Sequence, residues 1–110
     1  MSRPTRFYSD KQEKRIAKKI GGKQTPNSGS TPYIKGDVLT DDFLIEAKTH
    51  MSVTNKFTIR KEWIDKNEEE AFQMGRKYSA IAIDFGDGKD YYLINERLFK
   101  QLVNYLKEDK

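Results

Sequence analysis

The sequence predicts an α/β domain in which helices flank a mixed central β-sheet. Two stretches, "GDVLTDDFLIEAKTH" (36–50) and "SAIAIDFGDGKDYYLI" (79–94), each read as two extended runs around an Asp- or Gly-bearing turn. Before, between and after them lie three segments whose apolar residues recur at helical spacing. A length of 110 residues allows one domain with a modest core and no second one.

Taken in order, residues 1–8 read as a flexible basic arm. Ser9 and Gln12 form the S-x-x-Q pattern of a capping box. A helix is therefore expected from Ser9 to about Ile20, with Gly21 and Gly22 as its stop. Ile16, Ala17 and Ile20 supply its apolar stripe, and the same spacing counted back lands on Glu13. An acid on a core-facing position is unusual. Its ordinary reading is a stripe edge from which Glu13 reaches water.

The segment KQTPNSGSTPY (23–33) is a loop by composition, following a short strand near Gly22–Thr25. The first hairpin is expected as Ile34–Leu39, a turn at Thr40-Asp41-Asp42, and Phe43–Thr49. A short strand is expected at Phe57–Ile59. A helix follows from Lys61 to about Lys77, with Trp63, Ile64, Ala71, Phe72 and Met74 as apolar contacts and Glu68-Glu69-Glu70 exposed. Ser79–Phe85 reads as a buried strand, Gly86–Lys89 as a turn, and Asp90–Ile94 as the returning strand. Asn95 caps a last helix, Glu96 to about Lys107, whose apolar face is Leu98, Phe99, Leu102, Val103 and Leu106.

Composition narrows the chemistry. A chain 35% charged, 35% hydrophobic and 12% aromatic is a globular mix and not a disordered one. With no cysteine, disulfides and thiolate metal sites are excluded, and a single histidine excludes a His-rich zinc site. The opening residues lack the apolar core of a signal peptide, and the apolar runs are too short to span a bilayer. The expectation is a cytoplasmic protein with no membrane partner. Charge is unevenly placed. Residues 1–35 carry nine Lys/Arg against two Asp/Glu, a balance of +7, and the remainder carries twelve against fifteen, a balance of −3. Such a basic third suits a polyanion, and equally a solvated basic helix and tail.

The first hairpin carries charges where apolar residues would be expected. A turn centred on Asp41-Asp42 sets Thr40 opposite Phe43, Leu39 opposite Leu44 and Asp37 opposite Glu46. Leu44, Glu46 and Lys48 then share one face of the strand, with Asp37 across from Glu46. Opposed carboxylates repel and raise one another's pKa unless a cation sits between them. Mg²⁺, with Mn²⁺ as a substitute, suits such oxygen donors and leaves room for a phosphate. Lys48 beside the pair is placed to orient or activate an attacking water. The plainer alternative is an exposed charge ladder with Asp37 ending its strand.

Asp37…Glu46-Ala47-Lys48 resembles the D…(D/E)-x-K core of the PD-(D/E)XK nuclease superfamily, whose fold is restriction-endonuclease-like. Gly36 stands where the superfamily's name has proline. Within it, the chain resembles the archaeal and phage Holliday junction resolvases: Glu13 in the first helix, "NSGS" (27–30), then the acidic hairpin, over roughly residues 9–106. The resemblance implies one nuclease domain over 1–110 and a homodimer that cuts branched DNA in pairs. It implies that Asp37 and Glu46 hold the metal, with the carbonyl of Ala47, and that Glu13 adds an acid. Lys48 would orient the water or stabilise the pentacovalent phosphate. Ser28 or Ser30 would touch the scissile backbone. Candidate phosphate contacts are Arg3, Arg6, Lys11, Lys14, Arg15, Lys18 and Lys19, and then Lys56, Arg60 and Lys61.

Two other readings remain open on the sequence: a nicking, repair or restriction-type nuclease of the same superfamily, and a non-catalytic basic DNA-binding module. His50 is read as surface or as recruited to the site, and Trp63 as core or as a base-stacking platform. Asp84 is expected to meet solvent near the end of its strand.

Overall fold

The computed structural model describes residues 5–25 and 37–109, with side chains from Asp10 onward. Eight elements follow one another: α1 (Thr5–Ile20), β1 (Lys23–Gln24), β2 (Val38–Leu39), β3 (Phe43–Thr49), α2 (Lys61–Gln73), β4 (Tyr78–Asp84), β5 (Asp90–Leu93) and α3 (Glu96–Glu108). The strands form one mixed sheet in the order β1-β2-β3-β4-β5. Only β3 and β4 run parallel, since α2 connects them and supplies the long crossover that a parallel pair needs. The fold class expected from the sequence is met at this level, a mixed sheet flanked by helices.

Each face of the sheet is closed by a different helix. Side chains alternate along β3, so Phe43, Ile45 and Ala47 look one way while Leu44, Glu46 and Lys48 look the other. On the first face Ile16 of α1 is buried against Val38, Ile45, Ala80 and Ala82, with Ala17 packed beside them. On the second face lies α2, whose Asn67 amide donates to the carbonyl of Leu44 at 3.4 Å. Leu44, Ile81 and Ala71 are buried there. Burying a Leu or Ile side chain is worth about 1.5–3 kcal/mol, so this two-sided core carries the domain.

The expected hairpin register holds where the ladder is formed: Leu39 pairs with Leu44 and Val38 with Ile45. The second hairpin pairs Ile81 with Leu93 and Asp84 with Asp90. The Asn95 side chain caps α3 by accepting from the Leu98 backbone N–H at 2.9 Å.

Several expectations are corrected. The first helix begins at Thr5, not Ser9, so the capping box is not used and the arm shortens to residues outside those described. Gln12 instead turns its amide inward. The second helix ends at Gln73 because Gly75 adopts φ +71° and the Arg76 N–H returns to the Ala71 carbonyl at 2.8 Å, a Schellman-type stop. Phe57–Ile59 is not a strand. Phe57 is instead a wedge, its ring 4.8 Å from His50 and 5.7 Å from Phe85. Phe72 projects into solvent, whereas Glu70, expected exposed, is buried. Residues 34–36 and the loop over 26–33 lie outside the described residues.

Candidate active site

Asp37 immediately precedes β2, one residue beyond the last ladder pair, which continues the register to Glu46. Val38 faces α1, so alternation turns Asp37 to the α2 face, the face of Glu46 and Lys48. The backbone is fixed from both sides: the Asp37 carbonyl accepts the Thr25 N–H at 2.7 Å, extending the β1–β2 pairing. Only 3% of Asp37 remains exposed.

Four acids gather at this point. Burial first, then the charges of Glu46, Glu70 and Glu13, push the Asp37 carboxyl up to about 8, with Lys48 opposing. Glu46 is buried on the central strand and Glu13 is fully buried on α1. Glu13 therefore does not reach water from a stripe edge. The Gln24 amide, on β1, donates to Glu13 at 3.3 Å and also to Asp10, tying the helix acid to the edge of the sheet. Lys48 lies with its ammonium 4.3 Å from the centre of the Trp63 ring. Trp63 is thus a half-buried platform for that cation, which fixes the ammonium on the acidic face.

Glu70 was not legible as a site residue, because it closes a run of three glutamates. A signal was present nonetheless. Glu70 stands three residues after Asn67 and seven after Trp63, on the side of α2 that packs on the sheet.

The remaining expected site residues divide. The Ala47 carbonyl follows Glu46 on β3. Ser28, Ser30 and Arg3 lie outside the described residues, and Arg6 is placed only as backbone of α1. Lys11, Lys14, Lys18 and Lys19 are exposed along α1, with Lys14 paired to Asp10 at 3.1 Å. Lys56, Arg60 and Lys61 are exposed; Arg60 contacts Glu62 at 3.4 Å and Lys61 contacts Asp65 at 3.0 Å.

Arg15 is different. Its guanidinium bridges Asp84 at 2.9 Å and Asp90 at 2.8 Å, inside the fold and not toward a phosphate. Asp84 is correspondingly buried, not solvent-facing, and its other oxygen accepts the N–H groups of Gly86 and Gly88. Gln12 completes this cluster by donating to Asp90 and to the carbonyls of Lys48 and Ala82. His50 is exposed beyond the end of β3, beside a 300 Å³ pocket shared with Lys11, Arg15 and Asp84. Four residues of strand separate it from Glu46, about 13 Å at the usual rise, so it is not part of the acidic cluster.

The donors are of the oxygen type that a hard divalent cation takes. They are carboxylates and a main-chain carbonyl, and one carboxylate is buried at a cost that a bound cation removes. Among the described residues, however, no group of three or more acidic, histidine or cysteine side chains is placed to hold a metal ion.

No family model, curated protein or solved structure matches the chain.

Proposed function

We propose that the protein is a Mg²⁺-dependent, structure-selective DNA endonuclease with a restriction-endonuclease-like core, acting on four-way junctions as a homodimer. The observation that carries the reading is the environment of Asp37: a buried carboxyl held protonated to about pH 8 by burial and by Glu46, Glu70 and Glu13, with Lys48 alongside. A core built only for stability gains nothing from four acids around one point, since each buried charge must be neutralised or paired. A site for a cation and a phosphate explains all of them together.

Asp37, Glu46 and the Ala47 carbonyl would hold Mg²⁺ or Mn²⁺, with Glu13 and Glu70 completing the negative surround. Bound there, the ion supplies neutralisation of charge that builds on the phosphate and on the leaving oxygen. The Lys48 ammonium orients the attacking water and faces the phosphate oxygens. In the hydrolysis, the water oxygen bonds to phosphorus, the bond to the sugar oxygen breaks, and that oxygen leaves with a proton. The exposed lysines of α1 follow the DNA backbone and read shape, not base sequence.

The test is cleavage of a synthetic four-way junction against linear duplex of the same sequence, with Mg²⁺, Mn²⁺, Ca²⁺ and EDTA. Junction cleavage with Mg²⁺ or Mn²⁺ and none with EDTA is expected. Asp37→Asn and Glu46→Gln should each lower the rate by at least about 10³-fold, the scale of losing a principal electrostatic group, while junction binding persists. Equal cutting of the duplex would replace the resolvase reading by a general nuclease. Unchanged cleavage in both variants would remove the site.

A further inference from the structure

α3 is the most amphipathic helix among the described residues, and much of its apolar face is exposed. Its contact with the body is made along one side. The Leu98 side chain is buried, Arg97 donates to the Lys77 carbonyl at 3.0 Å, and Tyr78 donates to Gln101 at 2.6 Å. Phe99, Leu102 and Leu106 follow a three-then-four spacing that forms a second seam, turned about a quarter-circle away from that side. These three residues and Tyr105 are 45–64% exposed. The seam continues into an apolar groove of 420 Å³, walled by Leu98, Leu102, Ile20 and Tyr92 and floored by Phe43 and Ile45.

We propose that this face is the interface with a second copy of the chain, the two α3 helices packing antiparallel about a two-fold axis that passes near Leu102. Two observations select a second copy. The first is extent. At roughly 100 Å² each, half of a large side chain, the four α3 residues with Tyr92 and Ile20 expose on the order of 600 Å². That is the upper end of what a monomer shows, and close to the ~800 Å² that each partner brings to a standard interface. The second is charge. Glu96 and Lys107 are exposed at opposite ends of α3, within about 20° of each other around the helix and on the same flank of the seam. A two-fold antiparallel pairing sets residues of one flank against each other end for end, so Glu96 of each copy meets Lys107 of the other. A parallel pairing would set that flank against the opposite one, and Glu96 and Lys107 would not meet.

The pairing gives the proposed nuclease its two sites and rests on that reading only for its use. The assembly itself is measured without metal or DNA, so either idea can fail alone.

Sedimentation equilibrium of the full chain is expected to show a dimer at micromolar concentration. Leu106→Asp should weaken it by at least about 30-fold, the scale of losing one central anchor. Its circular dichroism should be unchanged, since Leu106 touches solvent and not the core. Glu96→Lys and Lys107→Glu should each weaken the dimer, and the double exchange should restore it. A monomeric wild type, a Leu106→Asp variant that stays dimeric, or a double exchange as weak as the single ones would overturn the proposal. Sedimentation of monomers with anionic vesicles, in place of self-association, would overturn it in favour of a lipid surface.

Discussion

Asp37 is costly to the fold when it ionises, and its chemistry predicts how. Its folded pKa, about 8, lies above the ordinary aspartate value of 3.8. Between those values the folded state holds a proton that the unfolded chain releases, so folding stability is full below about pH 4 and is lost as pH rises toward 8. Chelator-treated protein should therefore melt at progressively lower temperature over that window, as it loses stability on the order of a few kcal/mol. Asp37→Asn should flatten the slope and melt higher than the wild type at pH 8. Thermal denaturation at intervals from pH 4 to 9 checks both. A wild-type curve that rises over the window would contradict the cluster. Glu70→Gln isolates the acid that the sequence hid. Because Glu70 raises the Asp37 pKa, its removal should move the midpoint of the stability loss to lower pH. Cleavage should fall only about tenfold, less than for a direct ligand.

At the scale of elements, much of the architecture was legible wherever one local signal acted alone. β3 occupies its expected span, Phe43–Thr49, because the Thr40-Asp41-Asp42 turn fixes its start, and the same turn fixed its register with β2. α3 starts at its expected place because Asn95 caps it. Signals failed where tertiary contacts outweighed them. Gln12 looked like a cap partner, but its amide satisfies three acceptors at the junction of α1 with the sheet. Arg15 looked like a phosphate contact, and Asp84 like a strand end in water. Neither reading could anticipate that α1 crosses the end of the β4–β5 hairpin and joins them. This junction gives an element-scale prediction. Arg15→Ala leaves Asp84 and Asp90 facing each other without their cation, which for a largely buried pair costs about 3–5 kcal/mol. Asp84 and Asp90 lie on adjacent strands, so the loss should detach α1 from the hairpin. Urea denaturation should show the midpoint fall. A second fastening lies nearby: Gly86, at φ +98°, has room for no Cβ, which would clash with the Ser52 carbonyl oxygen. Gly86→Ala should cost about 2–3 kcal/mol through strain and displacement of the 50–55 segment.

Over the described residues, these charges are sorted by depth: the acids around Asp37 lie inside, and the lysines of α1 lie outside, with Lys11, Lys14 and Lys18 repeating at three and four residues along one exposed stripe. Arg15, on the same helix, is withdrawn into its ion pairs. Two variants of one helix should therefore separate folding from binding. In Lys14→Ala/Lys18→Ala/Lys19→Ala the melting temperature should hold, because each side chain is exposed. The logarithm of the junction-binding constant should fall less steeply with the logarithm of salt concentration, by about 0.9 for each phosphate contact removed. Arg15→Ala should do the reverse, lowering stability while leaving the salt slope of the folded fraction unchanged. Fluorescence anisotropy of a labelled junction between 50 and 200 mM salt, a span over which such contacts are strongly screened, measures the slopes directly. If the triple variant keeps the wild-type slope, α1 does not carry the DNA backbone and another surface must. If the wild type itself shows no salt dependence, the basic third of the chain is a solvated helix and no polyanion is its partner.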